Sequence, residues 1–131
     1  MKKYSEEKME KPIISIVTPV YNEEESLPAF YERVVPIMEK IGLPFEIIAV
    51  DDGSRDRSLE IITEHCKNDP RLKCVSFSRN FGQQAAFFCG LSSCSGDAAI
   101  LIDADLQDPP EIFPEMIAKW QEGYDVVHGV R

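Results

Sequence analysis

The stretch Ile100-Leu101-Ile102-Asp103-Ala104-Asp105-Leu106-Gln107-Asp108-Pro109-Pro110 joins a short apolar run to two carboxylates spaced i, i+2. The apolar run is typical of a buried strand, and in an extended backbone residues two apart point to the same side. Asp103 and Asp105 would then face one hard cation together, with Gln107 as a third oxygen donor. Such ligands suit Mg²⁺ or Mn²⁺ rather than zinc. The alternative for this stretch is a turn, since Asp and Pro are common turn residues.

Further apolar, β-branched-rich runs alternate with helix-sized segments along the rest of the chain. Strands are predicted at 13–18, 45–50, 72–77, 98–102 and 125–130. Helices are predicted at 24–41, 56–67, 83–95 and 110–122. This alternation predicts an α/β fold with a doubly wound, mostly parallel sheet and right-handed crossovers.

Local signals mark the ends of the predicted helices. Asp56 is a candidate N-cap, and Pro110 suits a first helical turn. Glycines that would stop helices follow the first, third and fourth of them: Gly42, Gly96 and Gly123. Pro36, inside the first helix, predicts a kink or a break there.

Length and charge narrow the class of protein. The 131 residues, 44% of them hydrophobic, suffice for one domain, which we place at 12–131 after a flexible, mixed Lys/Glu tail at 1–11. The net charge of −9 argues against nucleic acid as a partner, but a small phosphorylated ligand remains compatible. The chain has neither a bilayer-length apolar run nor a signal peptide, so we expect it in the cytoplasm.

The cysteines give no sign of a disulfide framework or a zinc site. None of Cys66, Cys74, Cys89 and Cys94 forms a Cys-x-x-Cys pair, so reduced thiols are expected. The neighbours His65 and Cys66 would diverge on a helix, which argues against zinc binding there.

Polar chemistry collects where the predicted strands end. In chain order the sequences are Thr18-Pro19-Val20-Tyr21-Asn22-Glu23, Asp51-Asp52-Gly53-Ser54, Ser78-Arg79-Asn80-Phe81-Gly82, Asp103-Ala104-Asp105 and Arg131. The opposite connections look like ordinary loops. Because ligands of doubly wound folds collect at the carboxyl ends of the strands, we expect one shared ligand crevice along this edge.

These motifs, in this order and spacing, resemble glycosyltransferase family 2, and most closely its polyprenyl-phosphate (dolichyl- or undecaprenyl-phosphate) sugar transferases. The pieces are Thr-Pro-Val-Tyr-Asn-Glu-Glu, Val-Asp-Asp-Gly-Ser, Ser-Arg-Asn-Phe-Gly-Gln-Gln-Ala-Ala and Asp-Ala-Asp-Leu-Gln-Asp-Pro-Pro-Glu. The likeness covers about 12–131. It implies the Rossmann-like, nucleotide-sugar-binding half of a GT-A fold, truncated at its C-terminal end, in a metal-dependent inverting enzyme.

The resemblance also implies roles for single residues. Pro19, Tyr21 and Glu23 would contact the base and ribose, and Asp52 or Asp51 would accept a hydrogen bond from a ring N–H of the base. Arg79 and Asn80 would line the diphosphate or ribose, or else fix their loop. The Asp103-Ala104-Asp105 segment would meet the donor.

The metal and the acceptor complete the implied site. Asp103, Asp105 and Gln107 would hold Mg²⁺ or Mn²⁺ against the two phosphates of a UDP- or GDP-sugar, which makes Asp105 catalytic. Arg131 resembles the arginine of a Gly-x-Arg motif that approaches acceptor or donor phosphates; as a chain end it would instead be solvated. His128 reads as a packed strand residue rather than a base.

The acceptor implied by the resemblance is a polyprenyl phosphate at the cytoplasmic face of the membrane, with membrane contacts supplied by sequence beyond Arg131. The alternatives are a family 2 enzyme that glycosylates a glycan or protein hydroxyl, and a non-catalytic nucleotide-binding fragment. Whichever of these functions the whole protein has, the 131-residue chain by itself is expected to be inactive.

The sequence lacks the motifs that three other doubly wound classes would need at these positions. A receiver domain would need an Asp pair after the first strand, a lone Asp after the third and a Lys after the fifth. A dehydrogenase would need Gly-x-Gly-x-x-Gly after the first strand, and a nucleotidyltransferase a Gly-rich basic loop there.

Overall fold

The computed structural model of the protein describes residues 11–125, in which parallel strands alternate with helices. In chain order the elements are β1 Ile14–Val20, α1 Leu27–Ile41, β2 Phe45–Asp51, α2 Ser58–Asn68, β3 Leu72–Ser76, α3 Gln83–Ser92, β4 Ala98–Leu101, a 3-10 turn at Pro110–Ile112 and α4 Phe113–Gln121. The predicted α/β alternation is therefore confirmed over this range. The predicted strand at 125–130 and the tail at 1–11 fall almost wholly outside the described residues.

The strands form one parallel sheet in the order β3-β2-β1-β4. Successive residues of β2 serve opposite faces: Ile47 joins the core beneath α1, α2 and α4, while Ile48 packs beneath α3. Both faces are thus covered, which explains why every residue of β1 and β2 is buried. The sheet is doubly wound, as predicted. No helix within residues 11–125 is long and apolar enough to cross a bilayer.

Helix α1 begins later than the predicted residue 24. It is continuous at Pro36, where the sequence predicted either a kink or a break. Residues 24–26 form a turn in which the Glu23 carbonyl accepts from the amides of Ser26 and Leu27, at 3.1 and 3.0 Å. The helix then runs through Pro36 to Ile41, so a break at Pro36 is wrong. Gly42 ends it in the left-handed region at φ 85°, as predicted.

The ends of α2, α3 and α4 agree with the sequence in part. Helix α2 starts at Ser58 rather than at 56, with Asp56 accepting a hydrogen bond from the Ser58 amide at 2.9 Å. Helix α3 ends at Ser92, so Gly96 is not its stop. Gly96 instead lies close to β1, where an added Cβ would sit 2.6 Å from Ser15 Oγ. Gly123 follows α4 at φ 110°, as predicted for a stop.

Glu46, in the middle of the sheet, is a charged residue with no exposed surface. Its carboxylate accepts hydrogen bonds from Ser15 Oγ at 2.6 Å, Lys73 Nζ at 2.7 Å and the Ser95 amide at 2.6 Å. Burial by itself would raise the pKa of Glu46, but the bonds from Lys73, Ser15 and Ser95 outweigh burial and lower that pKa below its ordinary value of 4.5. Glu46 thereby ties the α3–β4 loop to three strands.

The four cysteines are free thiols in the described structure. Burial raises the pKa of Cys66, and it raises the pKa of Cys74 to about 11, so both thiols are protonated at neutral pH. His65 stacks on Tyr31 with ring centroids 4.3 Å apart. Within residues 11–125 no group of three or more His, Cys, Asp or Glu side chains is placed to hold a metal.

Candidate functional site

A cleft of about 430 Å³ opens at the carboxyl edge of the sheet. Its lining includes these predicted site residues: Pro19, Tyr21, Glu23, Asp52, Asn80, Asp103, Ala104 and Asp105. Val20, Gly82 and Gln83 line it too; they lie in or beside the polar stretches after the strands, but no ligand contact was predicted for them. The polar residues that follow the first four strands therefore share one crevice, as expected for parallel strands that end at one edge.

The loop between β2 and α2 is bonded to the loop that follows β1. The bonds run from the Asn22 amide to Ser54 Oγ (2.9 Å), from the Glu23 amide to Ser58 Oγ (2.8 Å), from the Glu24 amide to Asp56 Oδ2 (3.1 Å) and from the Arg55 amide to Asn22 Oδ1 (2.8 Å). Hydroxyls and a carboxylate thus satisfy amides of a loop that has no ladder partners. These bonds fix the wall of the cleft that carries Tyr21 and Glu23.

The same β2–α2 loop is bonded on its other side to the loop after β3. Asp52 Oδ1 accepts from the Phe81 amide at 2.7 Å, and Asp52 Oδ2 accepts from the Gly82 amide at 3.1 Å. Gly53, at φ 72°, lies so close to this loop that an added Cβ would be 2.4 Å from the Arg79 carbonyl carbon. Asp52 and Gly53 therefore hold the β2–α2 loop against the loop after β3, and Asp52 also lines the cleft.

The two neighbouring aspartates differ in where they lie. Asp52 lines the cleft, whereas Asp51 is not among the lining residues, and each is only 2% exposed. Asp51 Oδ2 accepts from the Ser54 amide at 3.3 Å. Asp51 Oδ1 is buried without a hydrogen-bond partner among residues 11–125. Of the two predicted base contacts, only Asp52 reaches the crevice.

Arg79 and Asn80 also separate in the structure. Asn80 lines the cleft, but Arg79 does not. The Arg79 guanidinium instead lies over the ring of Phe81, 4.2 Å from its centroid. This contact lies within the loop itself, and it keeps the loop's cation beside the cleft rather than on the cleft lining.

The Asp103–Asp105 segment is a turn and not a continuation of β4. The strand ends at Leu101, and the Asp103 carbonyl accepts from the Leu106 amide at 3.4 Å, with Leu106 at φ 60°. The prediction that an extended backbone places both carboxylates and Gln107 on one face is therefore wrong. Both carboxylates still line the cleft, because the turn folds around the buried Ala104, whereas Gln107 is exposed and absent from the lining.

Gln83, at the start of α3, contacts this acidic turn. Its Nε2 donates to Asp103 Oδ1 at 2.8 Å. The sequence gives a signal for Gln83, since it directly follows Gly82 in the polar stretch after the third strand.

The charge of the cleft is one-sided. Glu23, Asp52, Asp103 and Asp105 line it, and within residues 11–125 no lysine or arginine does. An anionic diphosphate would be repelled here unless a cation accompanied it. Two carboxylates with further oxygens from a bound phosphate are a donor set that Mg²⁺ and Mn²⁺ accept, so the residues fit such an ion. Arg131 and His128 lie outside the described residues.

Comparison with known proteins agrees with this architecture. Residues 15–131 match the family model described as glycosyl transferase family 2. Over 120 residues the chain is 50% identical to an undecaprenyl-phosphate 4-deoxy-4-formamido-L-arabinose transferase of Pectobacterium atrosepticum, covering 90% of this chain and 36% of the relative. Over 114 residues it is 48% identical to a bactoprenol glucosyl transferase of Shigella phage SfV, covering 87% and 37%.

A solved structure supports the same grouping. The S. aureus TarS fragment 1–349 in complex with UDP-GlcNAc superposes with a TM-score of 0.66 at 25% identity, over 84% of this chain and 31% of that one. The fold is that of GT-A glycosyltransferases. The chain spans about a third of the length of the curated relatives that it matches. With a family model covering nearly all of its length, this chain belongs to glycosyl transferase family 2.

Proposed function

We propose that the chain is the nucleotide-sugar-binding part of an inverting hexosyltransferase that transfers a sugar from a UDP- or GDP-linked donor to a polyprenyl phosphate. The observation that carries the proposal is the acidic cleft, in which Asp103 and Asp105 share one crevice with the loops after β1, β2 and β3. Two relatives at about half identity are named for transfer involving undecaprenyl phosphate or bactoprenol, which supports the acceptor class.

In this proposal the donor's base and ribose lie against Pro19, Tyr21 and Glu23, with Asp52 beside the base. Tyr21 is 43% exposed at the cleft and so offers a ring face for stacking. The Asp52 carboxylate already accepts from the Phe81 and Gly82 amides, but two carboxylate oxygens have about four acceptor sites, so a base N–H can be accommodated as well. Asn80 and Ala104 would line the sugar and phosphate side.

The cation would be held by Asp103 and Asp105, with the donor's phosphates as its remaining ligands. When bound, a divalent cation stabilises the negative charge that develops on the leaving diphosphate. The two carboxylates orient it, and Gln107, outside the cleft lining, is withdrawn from the ligand set.

The reaction would be a displacement at the anomeric carbon. An acceptor phosphate oxygen forms the new bond to that carbon while the bond to the donor's diphosphate oxygen breaks, and the electron pair leaves with the nucleoside diphosphate. A phosphate monoester has a second pKa of about 6, so the nucleophile is already anionic near neutral pH. No general base is required for this acceptor, and Arg131 would offset repulsion between the two anions in the whole protein. The reaction would take place at the cytoplasmic membrane face, where residues after Arg131 supply the membrane contacts.

Isothermal calorimetry of the chain with UDP and GDP, each with and without Mn²⁺, tests the donor site. We expect nucleotide binding that is tighter by at least about tenfold with the cation, because cation and diphosphate neutralise each other in the acidic cleft. Equal affinity with and without Mn²⁺ would contradict the metal assignment.

The acceptor is tested separately on the whole protein. A panel of nucleotide sugars is combined with undecaprenyl phosphate or with a glycan that offers only hydroxyl groups. Transfer to the lipid phosphate is expected, whereas transfer to hydroxyl acceptors alone would remove the subgroup assignment. An absence of transfer together with intact nucleotide binding would favour a non-catalytic nucleotide-binding role.

A further inference from the structure

The hydrogen bond between Gln83 and Asp103 joins the start of α3 to the acidic turn after β4. Gln83 Nε2 donates to Asp103 Oδ1 at 2.8 Å, and both residues line the cleft. We propose that Gln83 is a positioning residue that orients the Asp103 carboxylate for a divalent cation bound together with a nucleoside diphosphate. This inference rests on the proposed function and gives Gln83, which lies inside the quoted Ser-Arg-Asn-Phe-Gly-Gln-Gln-Ala-Ala motif, a role that the resemblance did not assign.

The backbone that carries Gln83 is held from the sheet. Its neighbour Gly82 donates its amide to both oxygens of Asp52, at 3.3 and 3.1 Å, and Asp52 is 2% exposed at the end of β2. Asp52 also accepts from the Phe81 amide at 2.7 Å. The Gln83 side chain therefore starts from a fixed point beside the cleft.

The backbone that carries Asp103 is held as well. The preceding residue, Ile102, donates its amide to the Val17 carbonyl at 3.0 Å, and the following residue, Ala104, is 1% exposed. With both backbones fixed, the Gln83 amide restricts the rotation of the Asp103 carboxylate about its side-chain bonds. The bond thus presets the direction of that carboxylate.

An amide suits this task in an acidic cleft. Its N–H donates a hydrogen bond without a positive charge, so it orients Asp103 without repelling a nearby cation as lysine or arginine would. Outer hydrogen-bond partners of metal ligands typically contribute about 10- to 100-fold to metal affinity. Because the Gln83–Asp103 bond is exposed to solvent, we expect the lower end of that range.

The test compares Gln83→Met with Gln84→Met in the 131-residue chain. Methionine matches glutamine in length and helix propensity but cannot donate, so the bond is lost while α3 is kept. Gln84 is the matched control because it is exposed and makes no side-chain hydrogen bond within residues 11–125. Mn²⁺ affinity is measured by electron paramagnetic resonance at saturating UDP, together with metal-free UDP affinity and metal-free Tm.

Gln83→Met should bind Mn²⁺ about tenfold more weakly, with metal-free UDP affinity and Tm unchanged, and Gln84→Met should match the wild type. Unchanged Mn²⁺ affinity in Gln83→Met, or an equal loss in Gln84→Met, would overturn the inference. A fall in metal-free UDP affinity or in Tm would also overturn it, by showing a direct nucleotide contact or a purely structural role. A wild-type chain that binds UDP equally with and without Mn²⁺ would instead contradict the metal dependence of the proposed function, and this inference with it.

Discussion

At the scale of single residues, the acidic turn shows how two neighbouring carboxylates serve one cleft without lying on a strand. Asp103 and Asp105 flank Ala104, whose methyl group is buried, so the turn is anchored at its centre while the carboxylates point into the crevice. Stability and ligand binding therefore depend on different residues of the turn. Ala104 contributes to the core, and the two carboxylates remain available to a ligand in the cleft.

Asp105→Ala should therefore abolish the Mn²⁺-dependent part of UDP binding with little change in Tm. Asp105 is exposed, and the hydrogen bond that its side chain accepts from the Gln107 amide at 3.2 Å contributes little to stability. Asp97→Ala removes the same charge far from the cleft, at the start of β4, and serves as the control. The measurements are calorimetry and thermal melting, and a large fall in Tm would assign Asp105 a structural role instead.

Gly53→Ala should destabilise the chain more than Gly42→Ala does. Both glycines have positive φ, at 72° and 85°, which costs an alanine about 1 to 2 kcal/mol. At Gly53 the new Cβ would also meet the Arg79 carbonyl carbon at 2.4 Å, whereas at Gly42 nothing lies within 4 Å. Overpacking typically adds about 1 to 3 kcal/mol, and denaturant unfolding measures the difference. Equal losses for the two variants would show that the 79–82 loop moves away freely.

At the scale of elements, the sequence predicted which strands form, and that Gly42 and Gly123 follow helices, more accurately than it predicted the other element boundaries. The four strands within residues 11–125 follow from buried β-branched runs, and Gly42 and Gly123 follow from the need for a left-handed residue after a helix. The turn after Leu101 could be predicted only as an alternative to an extended strand, because Ile102 is as apolar as a strand residue and its burial comes from tertiary packing. The place of Gly96 likewise depends on β1, far away in sequence.

The strands predict which polar stretches meet at the cleft, but they do not predict which residue of each stretch faces it. Parallel strands bring their carboxyl ends together whatever the loops do, so the stretches that contain Tyr21, Asp52 and Asn80 could be expected at one crevice, whereas the choice of these three residues came from the family resemblance. Which of two adjacent residues faces the crevice depends on loop conformation. That is why the sequence could not separate Asp52 from Asp51, or Asn80 from Arg79.

Glu46, in the sheet, makes the free energy of unfolding of the chain depend on pH in the acidic range. Its folded-state pKa is lowered, so its contribution to stability is present above the unfolded value of about 4.5 and is lost as the pH falls through the lower folded value. Glu46→Gln should lower the free energy of unfolding at pH 7 by about 1 to 3 kcal/mol, because it weakens the bond with Lys73, and the gap should shrink below pH 4.5.

Urea unfolding at pH 7 and pH 3 measures that gap. Glu25→Gln is the control, since Glu25 is exposed and makes no side-chain hydrogen bond within the described part of the chain. A gap for Glu46→Gln that is the same at both pH values would show that the charge of Glu46 does not stabilise the fold.

At the scale of the whole molecule, the acidic lining of the cleft bears on how an anionic acceptor could be bound. The lining of the cleft offers a place for a cation and a nucleotide but, within residues 11–125, no cationic side chain for a second phosphate. An anionic acceptor approaching a diphosphate needs positive charge beside it. We therefore propose that the charge comes from Arg131 and from sequence that follows it.

Arg131→Ala in the whole protein should reduce kcat/KM for a polyprenyl-phosphate acceptor by about 10- to 1,000-fold while leaving the Kd for UDP with Mn²⁺ within about twofold. The reason is that Arg131 would meet the acceptor phosphate and not the base or ribose. Steady-state transfer assays and calorimetry measure the two quantities. Unchanged transfer would exclude Arg131 from the mechanism.

The hydrogen bonds made by the β2–α2 loop should couple the local opening of the two walls of the cleft. The amides of Glu23 and Phe81, on opposite walls, donate to the two ends of the segment 52–58, to Ser58 Oγ at the start of α2 and to Asp52 Oδ1 just after β2. Neither wall can therefore expose its amide to water without breaking a bond to the same segment, and the walls should exchange their amide protons for deuterium as one cooperative unit. Ser58→Ala, at a buried position, should speed exchange at Phe81 as well as at Glu23, whereas acceleration at Glu23 alone would mean that the two walls breathe independently.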